Sequence, residues 1–263
     1  MLLAIDIGNT NIVLGVFQGT KLHRSWRLQT LRERTSDELG ILVLQLFEQS
    51  TLDPRGVGGI ILSSVVPPLT RPMEEMARQY FGREPMTVDP ARNAGMPVLY
   101  TPASDVGADR VVNAVAAYEL YGREAGIPLI VVDFGTATTF DAISAAGEYV
   151  GGVICPGIGI SADALFQRAA RLPRVEVRKP AAIIGQTTVT SMQAGLFFGY
   201  VAMVEGIVHR MRAELPSGER ARCVATGGMA DVLAGETPAI ERVEPDLTLL
   251  GLRLIWERAK AVT

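Results

Sequence analysis

The sequence predicts an α/β protein made of two copies of one unit, each opening with three strands and continuing as alternating helices and strands. Three observations carry this expectation. Two apolar strand runs each end in Asp, one residue, Gly and a Thr-bearing turn, Asp6-Ile7-Gly8-Asn9-Thr10-Asn11 and Asp133-Phe134-Gly135-Thr136-Ala137-Thr138-Thr139. Each turn is followed by two more strand-like runs and then by helical periodicity. The 263 residues fit one large domain or two modest ones at roughly 100–200 residues per domain. The expected division is 1–115 and 116–263, two halves facing each other across a cleft.

In the first half, residues 2–8 form a near-continuous apolar run, 11–17 a second strand after the Gly-Asn-Thr turn, and 21–30 an alternating third. Thr35 and Glu38 have capping-box spacing, and Leu39, Leu42, Val43 and Leu46 then recur at helical intervals. Residues 58–66 predict a fourth strand, 68–82 a second helix and 84–89 a short fifth strand. A Gly/Pro-rich stretch from Asn93 to Pro102 precedes a helix over 109–122.

The pattern then restarts. Strands are predicted at 128–135, 137–147 and 148–155, a helix at 161–172 and a long helix at 191–215. A strand at 221–228, a short helix, a strand at 239–245 and a terminal helix at 246–261 complete the chain. Ala181 to Val204 carries no charge, but Gln186, Thr187, Thr188, Thr190, Ser191 and Gln193 interrupt its apolarity, so a loop feeding a buried helix is expected rather than a membrane span.

Composition narrows the chemistry. The net charge of −3 offers no basic excess for nucleic acid. Two cysteines, Cys155 and Cys223, and two histidines, His23 and His209, lie far apart, which excludes short-spaced zinc frameworks and disfavours Ser-His or Cys-His triads. Sparse cysteine and the lack of a basic, apolar leader at Met1 suit the cytoplasm. The lysines Lys21, Lys179 and Lys260 are followed by Leu22, Pro180 and Ala261, so no Walker A loop is present.

The Asp-x-Gly turns suggest anion chemistry. Glycine lets backbone N–H groups approach a phosphate, flanking hydroxyls add donors, and a strand-end carboxylate such as Asp6 suits Mg²⁺ or its waters. A plain hairpin turn explains one copy; two copies, each opening a three-strand unit, favour a nucleotide site. Gly157-Ile158-Gly159-Ile160-Ser161-Ala162 fits a dinucleotide fingerprint, with Glu176 about twenty residues on. Its place as third strand of a meander argues against that use. Gly227 and Gly228 end a strand, where exposed backbone suits an adenine or ribose and equally a plain strand-to-helix turn.

Read in order, these motifs resemble the actin, Hsp70 and sugar kinase superfamily, and within it the chain resembles type III pantothenate kinases. The carrying segments are DIGNTN at 6–11, SSVVPP at 63–68, GADRVVNAVAAY at 107–118, VDFGTATT at 132–139, GGVICPGIGISADAL at 151–165, SMQAG at 191–195 and ATGG at 225–228. The resemblance implies duplicated actin-like, ribonuclease H-like βββαβαβα domains. It implies transfer of the ATP γ-phosphoryl group to the 4′-hydroxyl of pantothenate, the first committed step toward coenzyme A. Asp6, Ile7, Gly8, Asn9, Thr10, Asn11, Ile12 and Val13 then line the triphosphate, and Thr136 also contacts ATP. Tyr100, Gly107, Ala108, Asp109, Arg110 and Thr188 hold pantothenate, with Asp109 as catalytic base. Asp133 takes a monovalent cation, K⁺ or NH₄⁺. A homodimer is implied, with the helix from Met192 to Met211 a candidate for its interface, and neither nucleic acid nor membrane as partner.

The residues also admit plainer roles. Asp109 precedes an apolar helix and suits an N-cap, Thr188 likewise, and Tyr100 is a loop aromatic. Arg110 beside Asp109 is expected to keep the acid ionised. Thr187 and Cys155 stand where the family pattern has Asn and Thr, which touches fine contacts near the pocket. Two other functions fit the superfamily: a kinase for a sugar or acetate, which Gly107-Ala108-Asp109-Arg110 argues against, and a ligand sensor without catalysis, which leaves Asp6, Asp109 and Asp133 unexplained.

Overall fold

The computed structural model describes residues 1–262. Two compact units emerge, Met1–Ala116 together with the chain from Asp246 onward, and Ala117–Pro245.

The first unit contains a five-stranded sheet in the order β3-β2-β1-β4-β5, formed by β1 (Leu2–Ile7), β2 (Asn11–Gln18), β3 (Lys21–Gln29), β4 (Gly59–Ser64) and β5 (Met86–Thr87). The β1-β2-β3 meander is antiparallel, whereas β4 runs parallel to β1 and β5 parallel to β4. Both faces are covered, so β1 is apolar at every position but Asp6 rather than alternating with polar residues. Leu3, Ile5 and Ile7 join Ile60 and Leu62 in a core with α1 (Ser36–Gln49) and α2 (Pro67–Phe81). Leu2, Ala4 and Ile61 lie on the opposite face beneath α3 (Ala108–Ala117) and α7 (Leu247–Val262). The Thr35 cap forms as expected: the Glu38 carboxylate accepts from the Thr35 N–H at 2.8 Å while the Glu38 N–H donates to the Thr35 hydroxyl at 3.3 Å.

The second unit repeats the plan. Its sheet runs β8-β7-β6-β9-β10, from β6 (Leu129–Phe134), β7 (Ala137–Ile143), β8 (Tyr149–Pro156), β9 (Arg222–Gly227) and β10 (Arg242–Val243). The pairing directions match those of the first sheet, antiparallel through β6-β7-β8 and parallel at β6-β9 and β9-β10. Ile130, Val132, Phe134 and Phe140 pack with α4 (Ile158–Arg168), α5 (Thr188–Glu214) and α6 (Ala230–Ala234). By length and apolarity α5 passes as a membrane-crossing helix, but Phe197, Val201, Val204 and Val208 form one helical stripe buried in this core.

Three differences from the sequence expectation have identifiable physical causes. Helix α5 begins at Thr188 rather than Ser191, because a threonine pair caps it. Helix α4 spans Ile158–Arg168 rather than 161–172, capped by Gly157. The terminal helix, expected within a 116–263 domain, groups with the first unit. Its Leu249, Leu252 and Ile255 are buried with Leu2, Ala4 and Ile61, so its apolar stripe completes the first sheet's second face.

Candidate active site

In the first unit, Asp6 lies one residue from the end of β1, on the face it shares with Leu2 and Ala4. The turn beyond it closes with the Gly8 N–H donating to the Asn11 carbonyl at 3.0 Å. It is pinned from β3's far end: the Thr30 hydroxyl donates to the Gly8 carbonyl at 2.6 Å and the Thr30 N–H to the Thr10 carbonyl at 3.0 Å. Sequence reasoning missed Thr30, whose proximity arises only once the β2-β3 hairpin pairs. Asn9 and Thr10 are exposed at the tip, and Asn9 Oδ1 accepts from Arg32 at 3.5 Å. Ile7 and Ile12 are fully buried in the α1/α2 core, so these two can offer a phosphate only their backbone.

Asp109 sits at the same end of the same sheet. The Val65 N–H, just past β4, donates to the Ile7 carbonyl at 3.1 Å. A Cβ added at Gly107 would lie 3.5 Å from the Val65 side chain. Helix α3 starts at Ala108, and the Gly107 carbonyl accepts the Arg110 N–H at 3.1 Å. Asp109 is therefore the second helical residue and not the N-cap; its Oδ1 accepts the Arg110 N–H at 2.8 Å. The same hypothetical Cβ at Gly107 would stand 2.6 Å from Asp109 Oδ1, so only glycine leaves the carboxylate this position.

Asp109 keeps some surface exposure, yet it is densely surrounded, and the loss of solvation pushes its carboxyl above the ordinary range. The bond from the Arg110 N–H and the guanidinium charge act the other way and are outweighed. The expectation that Arg110 keeps the acid ionised thus holds in direction, while burial outweighs it. Arg110 itself is 8% exposed. Tyr100 is exposed in the loop between β5 and α3.

In the second unit Asp133 occupies the position in β6 that Asp6 has in β1. Its turn is one residue shorter, closing with the Gly135 N–H donating to the Ala137 carbonyl at 3.1 Å, with Thr136 exposed at the tip. Gly227 has φ +93°, and a Cβ there would meet Asp133 Oδ1 at 2.6 Å. The Thr-Gly-Gly turn thus makes room for the Asp133 carboxylate, while Gly228 is exposed with open space around it. The dinucleotide reading of the Gly157 turn loses its space, since Gly157 packs against the Thr136 carbonyl.

Thr188 is the first residue of α5, and the cap is its neighbour. The Thr190 N–H donates to the Thr187 hydroxyl at 3.2 Å and the Thr187 N–H to the Thr190 hydroxyl at 3.0 Å. This corrects the N-cap reading of Thr188. Thr188 lines an open, largely apolar groove of about 1210 Å³ with Pro156, Ser161, Leu165, Gly195 and Tyr200. The Tyr200 hydroxyl donates to the Pro156 carbonyl at 2.6 Å and bonds the Ser161 hydroxyl at 2.7 Å, tying α5 and α4 to the end of β8. Cys155 beside it is half-buried, and burial pushes its thiol up.

The donor set fits hard cations. No group of three His, Cys, Asp or Glu side chains converges among the described residues. Asp6 and Asp133 each combine one carboxylate with a turn's backbone oxygens and nearby hydroxyls, which suits ions that keep water or accept neutral oxygen ligands.

A family model described as type III pantothenate kinase matches residues 2–210. A type III pantothenate kinase of Myxococcus xanthus is 56% identical over 261 residues, covering 99% of this chain and 100% of the relative. One of Moorella thermoacetica is 53% identical over 258 residues, covering 98% of this chain and 99% of the relative. The inorganic polyphosphate/ATP-glucomannokinase of Arthrobacter sp. strain KM superposes with a TM-score of 0.51 at 16% identity, covering 99% of this chain and 98% of that one. This last likeness is one of fold alone.

Proposed function

The chain belongs to the type III pantothenate kinase family and phosphorylates pantothenate with ATP in coenzyme A biosynthesis, and from that premise we propose how its residues divide the work. Asp109 accepts the proton of the pantothenate 4′-hydroxyl as that oxygen attacks the γ-phosphorus and ADP departs. A carboxylate whose proton affinity is raised by burial is a better acceptor than an exposed one. Its place in the first turn of α3 beside the end of β1, where Gly107 leaves room for the carboxylate, is the observation that carries this assignment, and the burial that raises its proton affinity supports it.

Backbone N–H groups of the Asp6 to Val13 segment take the triphosphate, with Thr30 holding the turn in shape. Asp6 would hold a Mg²⁺ ion, which when bound would neutralise phosphate charge. Thr136, Gly227 and Gly228 contact ATP, and Asp133 holds K⁺ or NH₄⁺. Tyr100, the Gly107 to Arg110 turn and Thr188 bind pantothenate, with Arg110 toward its carboxylate or amide oxygens. The enzyme acts as a homodimer through α5, whose groove is open and apolar, and works in the cytoplasm, where two unpaired cysteines are at home.

Coupled ADP detection tests this reading. Turnover is expected to require pantothenate, Mg²⁺ and K⁺ or NH₄⁺, and Asp109→Asn to fold yet lose about 10²–10⁴ in kcat. ATP turnover indifferent to pantothenate, or preference for a sugar or acetate in an acceptor panel, overturns it.

A further inference from the structure

Ser63 and Ser64 close β4, and their surroundings differ. Ser64 is satisfied: its hydroxyl bonds Thr70 Oγ1 at 2.8 Å and accepts the Val66 N–H at 3.3 Å. Ser63 is 0% exposed, and its Oγ has no hydrogen-bond partner among the described residues. Burying a hydroxyl without a partner costs stability, and an alanine would fill the same place without that cost.

Strand register says what stands next to it. Asp6 and Ser63 are paired positions in the parallel β1-β4 ladder, so their side chains leave the same face of the sheet. That face is the one with Ala4 and Ile61 beneath α3, whose first turn carries Asp109. The second unit repeats the arrangement: Asp133 is paired in register with Thr226 on the parallel strand β9, and Thr226 is 2% exposed. Each Asp of the two turns thus has a buried hydroxyl residue directly beside it.

We propose that Ser63 is a positioning residue for Asp6. When Mg²⁺ and ATP are bound, its Oγ–H donates to the Asp6 carboxylate and fixes the orientation in which that carboxylate meets the metal's water shell. This rests on the reading of Asp6 given above.

Ser63→Ala removes the hydroxyl without adding volume. Without nucleotide its melting temperature is expected to equal or exceed that of the parent. Its kcat is expected to fall about 10-fold, with a similar rise in the Mg²⁺ concentration for half-maximal rate, the scale of one hydrogen bond to a charged group. Calorimetric affinity for ADP with Mg²⁺ weakens in step, the KM for pantothenate is unchanged, and adding Ser63→Ala to Asp6→Asn causes no further loss. Parental kcat and Mg²⁺ dependence in Ser63→Ala, or a lower melting temperature with unaltered Mg²⁺ dependence, overturn the proposal. Parental turnover in Asp6→Asn identifies the reading of Asp6 as the failure and removes the proposal with it.

Discussion

Asp109, the proposed base, carries a stability cost that follows from its burial. Burial holds its folded pKa above the ordinary value of 3.8, so the folded protein binds this proton more tightly than the unfolded chain does. The stabilisation is therefore complete below the unfolded pKa and is lost as pH rises through the folded one. At pH 7 an ionised Asp109 is a burden on the protein without ligand. Asp109→Asn is expected to raise the melting temperature at pH 7 by about 2–4 °C per kcal/mol recovered, with the gap closing toward pH 4 as the parent protonates. Scanning calorimetry at the two pH values checks this, and a variant that melts lower at pH 7 contradicts it. The acidic limb of the parent's kcat/KM profile should lie above the normal carboxylate range. At this scale Asp6, Asp109 and Asp133 could be proposed from the sequence, since each sits in a short motif with its glycine. Thr30 and Ser63 could not, because strand pairing alone sets them beside the first turn.

Helix α5 shows why element ends are harder to place than elements. Its long apolar stripe is plain from periodicity, but a cap built from Thr187 and Thr190 lacks the Glu that marks the Thr35 cap of α1. The sequence also offers Thr188 and Ser191 as equivalent starts. Thr187→Ala is expected to cost about 0.5–2 kcal/mol. Since Thr188 is the next residue, fraying should raise the KM for pantothenate while leaving the ATP KM in place. Thermal denaturation and steady-state kinetics read the two effects, and an unchanged melting temperature would remove the cap from the account.

On the scale of the molecule, two sheets share one strand order and one set of pairing directions. Duplication was visible beforehand in the repeated Asp-x-Gly turns and three-strand openings. The destination of the terminal helix was not. Its apolar stripe specifies that a face must be covered, and many faces would serve. Leu252, 0% exposed in the first unit's second core, makes the consequence measurable. Leu252→Ala is expected to cost about 2–5 kcal/mol and to speed amide exchange in β1 and β4 more than in β6. Faster exchange confined to β6 would contradict the grouping.

What the sequence determined by itself was whatever depends on near neighbours: strand and helix periodicity, the Thr35 cap, the two acid-glycine turns, the Gly-Ala-Asp-Arg segment and, through them, the kinase family. Tertiary structure alone decided that Asp109 stands one position inside its helix with its proton affinity raised, that Gly227 clears space for Asp133, that Thr30 clamps the first turn, and that Ser63 lies buried beside Asp6. The physical reason is range. Turn geometry and periodicity are set by residues a few positions apart, whereas register, burial and desolvation are set by whatever the rest of the chain brings alongside.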